Sequence, residues 1–217
     1  MKKYDTVIFD LDGTLLNTLE DFTDSVNFAL ALQGFPGKKL EEIKSLAGNG
    51  AARLMELSMP AGINNRQYKK CLADFENHYS ENMHNKTGAY SGVSELLRRL
   101  SAENYKMAIV SNQFDRSVKE LSQSYFGKYI KVAIGLAENV SKKPAPDSVF
   151  KVLAKLGATT DRAVYVGDSE VDVKTAKNSG IICVGVTWGL RDRKFLEQTG
   201  ADYIIDKPEE LLAIIYQ

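Results

Sequence analysis

Four short stretches of the chain combine carboxylates, hydroxyls and a lysine in patterns suited to handling an anionic group. In Val7-Ile8-Phe9-Asp10-Leu11-Asp12-Gly13-Thr14 an apolar run ends in two acids one residue apart. Side chains at i and i+2 can turn into one pocket once a strand ends. Two close carboxylates repel each other, and a divalent cation or a shared proton relieves the repulsion. Gly13 lets the backbone turn sharply beside a ligand. A second apolar run, Met107-Ala108-Ile109-Val110, ends in Ser111-Asn112. A hydroxyl and the backbone N–H groups after it can hold phosphoryl oxygens. In Lys142-Lys143-Pro144-Ala145-Pro146-Asp147 the second lysine stands just before a proline-stiffened helix start, where a fixed ammonium can offset charge growing on a transferred group. Lys142 is expected to face solvent. The fourth stretch, Ala163-Val164-Tyr165-Val166-Gly167-Asp168-Ser169-Glu170-Val171-Asp172, ends another apolar run in an acid, with a further acid four residues on. If a helix begins near Ser169, Asp172 lies in its first turn and faces the same pocket as Asp168. Hard oxygen ligands of this kind suit Mg²⁺.

These residues need elements to bring them together. Strand-like runs fall at 6–9, 106–110, 132–134, 163–166, 183–186 and 203–205. Stripes at helical spacing lie between them, such as Val93, Leu96, Leu97 and Leu100, then Val149, Val152, Leu153 and Leu156. From Tyr90 onward the alternation predicts an α/β fold, a doubly wound parallel sheet with helices on both faces. Ligands of such sheets bind at the carboxyl ends of the strands, which is where all four stretches fall. The rhythm breaks after the first strand. Helical patterns fill 18–33, 40–47, 51–58 and 65–83 with no strand among them. Residues 17–87 therefore read as an inserted helical cap, and 1–16 with 88–217 as the α/β core. Leu15-Leu16-Asn17 and Asn85-Lys86-Thr87-Gly88 are the expected linkers. Asn17 or Thr18 could cap the first helix, with Glu20 or Asp21 completing a capping box. Gly34 could end that helix, Pro146-Asp147 open another, and Pro208-Glu209-Glu210 open the last.

The bulk composition narrows the function further. The chain has 217 residues, with Lys+Arg and Asp+Glu both at 28 and a net charge of zero. A general nucleic-acid or membrane-surface binder would usually show a basic excess. No apolar stretch approaches the roughly 20 residues that span a bilayer. The basic start, Met1-Lys2-Lys3, is followed by Asp5, Asp10 and Asp12, which interrupt any signal-like apolar segment. Cys71 and Cys183 have no CxxC spacing and no nearby histidine partner, so neither a disulfide framework nor a zinc site is expected. Cys183 reads as a small core residue. The expected compartment is a reducing cytoplasm. His78 and His84 show no ligand spacing.

Taken together, and in this order, the four stretches resemble the four sequence motifs of the haloacid-dehalogenase-like superfamily. The resemblance covers nearly the whole chain, including a helical cap between the first and second motifs. It implies that Asp10 attacks phosphorus and forms an aspartyl-phosphate. Asp12 would protonate the leaving oxygen, then activate the hydrolytic water. Mg²⁺ would be held by the Asp10 carboxylate, the Asp12 backbone carbonyl and Asp168, with Asp172 and Thr14 supporting those ligands. Ser111 and Asn112 would hold phosphoryl oxygens, and Lys143 would offset charge. Dehalogenating members lack an acid at the position of Asp12, so its presence favours phosphoryl transfer. Leu46-Ala47-Gly48-Asn49-Gly50-Ala51-Ala52-Arg53 is similar to the cap segment of phosphoglycolate phosphatases. Gly48 and Asn49 would then contact substrate, and Arg53 could pair with its carboxylate. Val186-Thr187-Trp188-Gly189 is also usual in that group, with Trp188 expected to pack. Relatives often carry Asp where this chain has Asn17.

The expected partner is a small phosphorylated metabolite, with 2-phosphoglycolate leading and neither nucleic acid nor membrane involved. Two other activities share the scaffold: a phosphosugar mutase of β-phosphoglucomutase type and an inorganic pyrophosphatase. A non-catalytic phospho-binding regulatory module would have lost at least one motif acid, and none is lost. The sequence leaves open whether the chain is a monomer or a weak homodimer.

Overall fold

The computed structural model describes residues 3–137 and 140–216. Met1 and Lys2 of the basic start lie outside the described residues. The sheet has six parallel strands: β1 (Thr6–Phe9), β4 (Lys106–Phe114), β5 (Val132–Leu136), β6 (Ala163–Gly167), β7 (Ile182–Val186) and β8 (Tyr203–Ile205). Their spatial order is β5-β4-β1-β6-β7-β8, which reverses direction at the β1/β6 pair. β1 is buried throughout and lies between β4 and β6, with Phe9 level with Ile109 on one side and Val166 on the other.

Alternation along these strands builds two apolar layers, because successive side chains leave opposite faces of a sheet. Val7, Phe9, Met107, Ile109, Val164 and Val166 share one cluster with α5 (Val93–Ala102), α6 (Asp115–Phe126) and α10 (Leu211–Ile215). Ile8, Ala108, Val110 and Tyr165 face the other way, onto α7 (Asp147–Leu156) and α8 (Glu170–Ser179). Cys183 packs in the second layer, as a small apolar residue should. A sixth helix of the sheet region, α9 (Arg193–Thr199), is N-capped by the Asp192 side chain.

Between β1 and β4 stand four helices without a sheet strand: α1 (Leu19–Leu32), α2 (Leu40–Leu46), α3 (Ala51–Ser58) and α4 (Tyr68–Asn82). Phe22 of α1 stacks on Tyr79 of α4 with ring centroids 4.5 Å apart. Phe75 of α4 meets Phe114 at the end of β4, which joins the apolar interior of these helices to the sheet layer. The chain enters and leaves this region through a short antiparallel ribbon of β2 (Leu16–Asn17) and β3 (Gly88–Ala89), pairing Leu16 with Ala89 and Asn17 with Gly88. Two-residue strands leave no pattern in a sequence, so these segments looked only like linkers.

Other differences have local causes. β4 continues past Val110 to Phe114, with a register shift against β5, so Ser111 and Asn112 stand in the strand rather than after it. No capping box forms at the start of α1. Thr18 is the N-cap without a side-chain cap bond, and its hydroxyl goes instead to Asp12. Asp21 accepts hydrogen bonds from the backbone N–H groups of Lys86 and Thr87, 65 and 66 residues away. The box does form at α8, where Ser169 and Asp172 satisfy each other's backbone N–H groups. Gly34 follows the end of α1 with φ +73°. No helix of the described residues is long and apolar enough to cross a membrane.

Candidate active site

Asp10, Ser111 and Asp168 follow Phe9, Ile109 and Val166 by one or two residues, and those three positions are in register. The sheet therefore delivers all three side chains to one edge. That edge lies at the β1/β6 switch, where helices diverge to opposite faces and leave a crevice. The start of α8 adds Asp172, and the loop before α7 adds Lys143.

Lys143 is buried and spans the centre. Its Nζ donates to Asp10 Oδ1 at 2.8 Å, to Asp172 Oδ1 at 2.7 Å and to the Tyr165 hydroxyl at 3.1 Å. Burial would strip its proton, but Asp10 and Asp172 outweigh that and hold its pKa well above the usual lysine value. Asn112 fixes the loop that carries it. The Asn112 amide donates to the Lys143 carbonyl at 2.9 Å, and the Lys143 N–H donates back to Asn112 Oδ1 at 2.7 Å. The Asn112 side chain thus positions the lysine, a task beyond the expected contact with phosphoryl oxygens.

The two acids of the first motif have different surroundings. The Asp12 carboxylate takes Thr18 Oγ1 (2.8 Å) and Gln113 Nε2 (2.7 Å) on Oδ1, and Ser111 Oγ (3.1 Å) on Oδ2. Burial still raises its pKa above the usual carboxylate value, against those three donors. Asp10 belongs to a tighter group. Burial, then the charge of Asp172, push its pKa well up, although Lys143 pulls it down. Asp168 is pushed up to about 7, by burial first and by the charge of Asp172 next.

Asp10, Asp168 and Asp172 each offer an oxygen within 4.8 Å of the others, and all three are buried. Three buried carboxylates sharing one lysine leave excess negative charge, and a divalent cation among hard oxygens would offset it. The neighbourhood is shaped to hold these acids. Thr14 Oγ1 (3.2 Å) and the Leu190 N–H (2.7 Å) donate to Asp168, and the Ser169 N–H and hydroxyl hold the outer oxygen of Asp172. A Cβ on Gly13, whose φ is +86°, would stand 2.2 Å from an Asp168 oxygen. Gly189 is as confined, with a Cβ position 2.3 Å from the Gly13 carbonyl. The cluster of Asp10, Asp168 and Asp172 has the donor chemistry to hold such a divalent cation.

Above the acids opens a cavity of about 160 Å³. Asp10, Asp12, Ser111, Asn112 and Lys143 form its floor. Gly48 lines it from the helical side, together with Lys44, Phe22 and Leu54. Asn49 is turned to Glu170 of α8, its amide 3.4 Å from Oε1. Arg53 is turned to Glu56 in an exposed ion pair and does not line the cavity, so the expected pairing of Arg53 with a substrate carboxylate is not what this geometry shows. Trp188 lines the cavity while donating to the Thr14 carbonyl. Lys142 is exposed, as expected. His78 stacks on Phe28, and His84 lies beside Glu120 and Tyr125, so both are explained by packing. Sequence reasoning missed Gln113 and Thr18. The one available signal was that both stand close to motif residues, Gln113 two positions after Ser111 and Thr18 four after Thr14.

A parallel sheet with acids at its switch point and a helical segment over them is suited to chemistry on an anionic group. Residues 7–186 match the family described as haloacid dehalogenase-like hydrolase, and the chain belongs to that family. Within it the chain is a phosphoric monoester hydrolase of the phosphoglycolate phosphatase-like kind. It is 33% identical over 212 residues to a phosphoglycolate phosphatase of Pseudomonas putida, covering 95% of this chain and 78% of that one. It is 30% identical to the pyrophosphatase PpaX of Listeria monocytogenes, over 98% of this chain and 97% of that one. Among solved structures, a Lactobacillus delbrueckii subsp. bulgaricus protein provisionally named a phosphoglycolate phosphatase superposes with a TM-score of 0.93 at 31% identity, over the full length of both chains.

Proposed function

We propose that this chain is a Mg²⁺-dependent phosphatase that hydrolyses a small phosphomonoester through an aspartyl-phosphate on Asp10, with 2-phosphoglycolate the first candidate substrate. The observation that carries this is the division of labour between two acids one residue apart. Asp10 sits in the cation-seeking carboxylate group, while Asp12 is turned onto Thr18, Ser111 and Gln113. The first suits a nucleophile and the second a proton carrier.

An Asp10 oxygen forms a bond to phosphorus as the bond to the leaving oxygen breaks. Asp12, kept protonatable by burial, gives its proton to that leaving oxygen. Asp12 then takes a proton from water, which attacks phosphorus, releases inorganic phosphate and restores Asp10. Lys143 offsets the charge that gathers as one anion approaches another. Asp10 and Asp168, with the Asp12 carbonyl, would hold Mg²⁺, which would supply further neutralisation of that charge. Residues 17–87 act as a cap that closes over the cavity, with the ribbon at Asn17 and Gly88 as its base. The likeness to PpaX supports pyrophosphate as a second candidate substrate.

Phosphate release measured over a panel of phosphometabolites, with Mg²⁺ and with a chelator, tests this. Activity is expected only with the metal, and Asp10→Asn is expected to lower kcat by at least about 10³-fold with its circular dichroism unchanged. Turnover near wild type in Asp10→Asn would exclude the mechanism.

A further inference from the structure

We infer that Lys44 reads a second negative charge on the far end of the leaving group, and so selects substrates that are anionic at both ends. This rests on the phosphatase reading above and names the substrate class of that same cavity.

The cavity divides by chemistry. Its floor carries the acids, Ser111 and Lys143, whereas Leu19, Phe22, Leu54 and Leu190 make much of the rest apolar. An anion pressed against such walls loses hydration and needs a cation in return. Lys143 is not available for it, since Asp10 and Asp172 both hold its ammonium. Arg53 is committed to Glu56 and stands off the cavity. Arg191 is committed to Glu170 and to the Lys44 and Ala47 carbonyls, and it too stands off the cavity. Lys44 lines the cavity, and among the described residues no carboxylate pairs with its ammonium.

Placement supports the same role. Lys44 lies in the last turn of α2. Arg191 holds that end of the helix by its carbonyls, at 3.4 Å for Lys44 and 2.9 Å for Ala47. The backbone of Lys44 is therefore tied to the sheet region, while its side chain, exposed to solvent, borders the cavity with no carboxylate partner among the described residues. A leaving group ending in a carboxylate or a second phosphate would meet that ammonium in a charge-assisted hydrogen bond. A neutral leaving group would leave the lysine without a partner.

Steady-state kinetics of wild type, Lys44→Met and Lys44→Arg decide the matter, using 2-phosphoglycolate, pyrophosphate and 2-hydroxyethyl phosphate with Mg²⁺. The last compound replaces the carboxylate of the first by an alcohol. In wild type, kcat/KM should favour the doubly anionic substrate. Lys44→Met should cut that preference about tenfold, chiefly through KM, and Lys44→Arg should keep most of it. The substrate whose KM responds, phosphoglycolate or pyrophosphate, identifies the second anion as carboxylate or phosphate. A preference unchanged in Lys44→Met overturns the inference while leaving the phosphatase intact. Wild-type enzyme that releases phosphate from none of these three and from no compound of the wider phosphometabolite panel overturns the phosphatase reading, and the inference with it.

Discussion

At the scale of residues, the site is a problem of too many carboxylates in too little water. Asp10, Asp168 and Asp172 are buried together, and Lys143 already shares its charge between two of them. A carboxyl whose folded pKa is raised, as that of Asp168 is to about 7, favours its neutral form, so its ionised form costs stability at neutral pH. Asp168→Asn removes one of those charges and keeps an acceptor for the Leu190 N–H. With chelator present, this variant should melt at or above the wild-type temperature. Added Mg²⁺ should then raise the melting temperature of wild type and not of the variant. Equal Mg²⁺ shifts in both proteins would remove Asp168 from the metal site.

At the scale of elements, the connections decide where the helical segment sits. β4 overruns its apolar run by four residues, which brings Gln113 against Asp12 and Phe114 against Phe75. Nothing apolar in Ser111-Asn112-Gln113 announces a strand, and it is the pairing of Phe114 with Leu136 of β5, beyond a register shift, that carries the element there. Asp21 was legible only as a helix N-terminal acid. Its buried carboxylate instead ties down the returning chain at Lys86 and Thr87, beside the β2–β3 ribbon. Asp21→Ala leaves the N–H groups of Lys86 and of the buried Thr87 without their acceptor. It should lower unfolding free energy by about 2 kcal/mol, measured by urea titration. A loss near zero would mean that the ribbon holds without it.

At the scale of the whole molecule, α2 is attached to the sheet region by Arg191 and Glu170. The guanidinium bonds the Lys44 and Ala47 carbonyls at the end of α2, and Glu170 holds both Arg191 and Asn49. A cation at a helix C-terminus is favoured by the unsatisfied carbonyls there. Arg191→Ala should speed hydrogen–deuterium exchange across residues 40–47 severalfold and leave the strand at 6–9 protected. Unchanged exchange over 40–47 would show that packing alone seats this helix.

The sequence by itself determined the sheet, its helices and the four motif stretches, because each is written locally. A buried strand needs a continuous apolar run, a helix needs its stripe, and an acid placed at a strand end needs only its neighbours in the chain. Tertiary structure alone decided which side chains answer one another across the site. Gln113 and Thr18 reach Asp12, Asn112 clasps Lys143, and Asp21 serves a linker some 65 residues on. Arg53 looked like the substrate cation and found Glu56 one turn away, while Lys44, unremarked in its helix, was left facing the cavity. Periodicity reports which face of an element is buried. Which charge finds a partner depends on how elements distant in sequence are packed, and no local pattern carries that information.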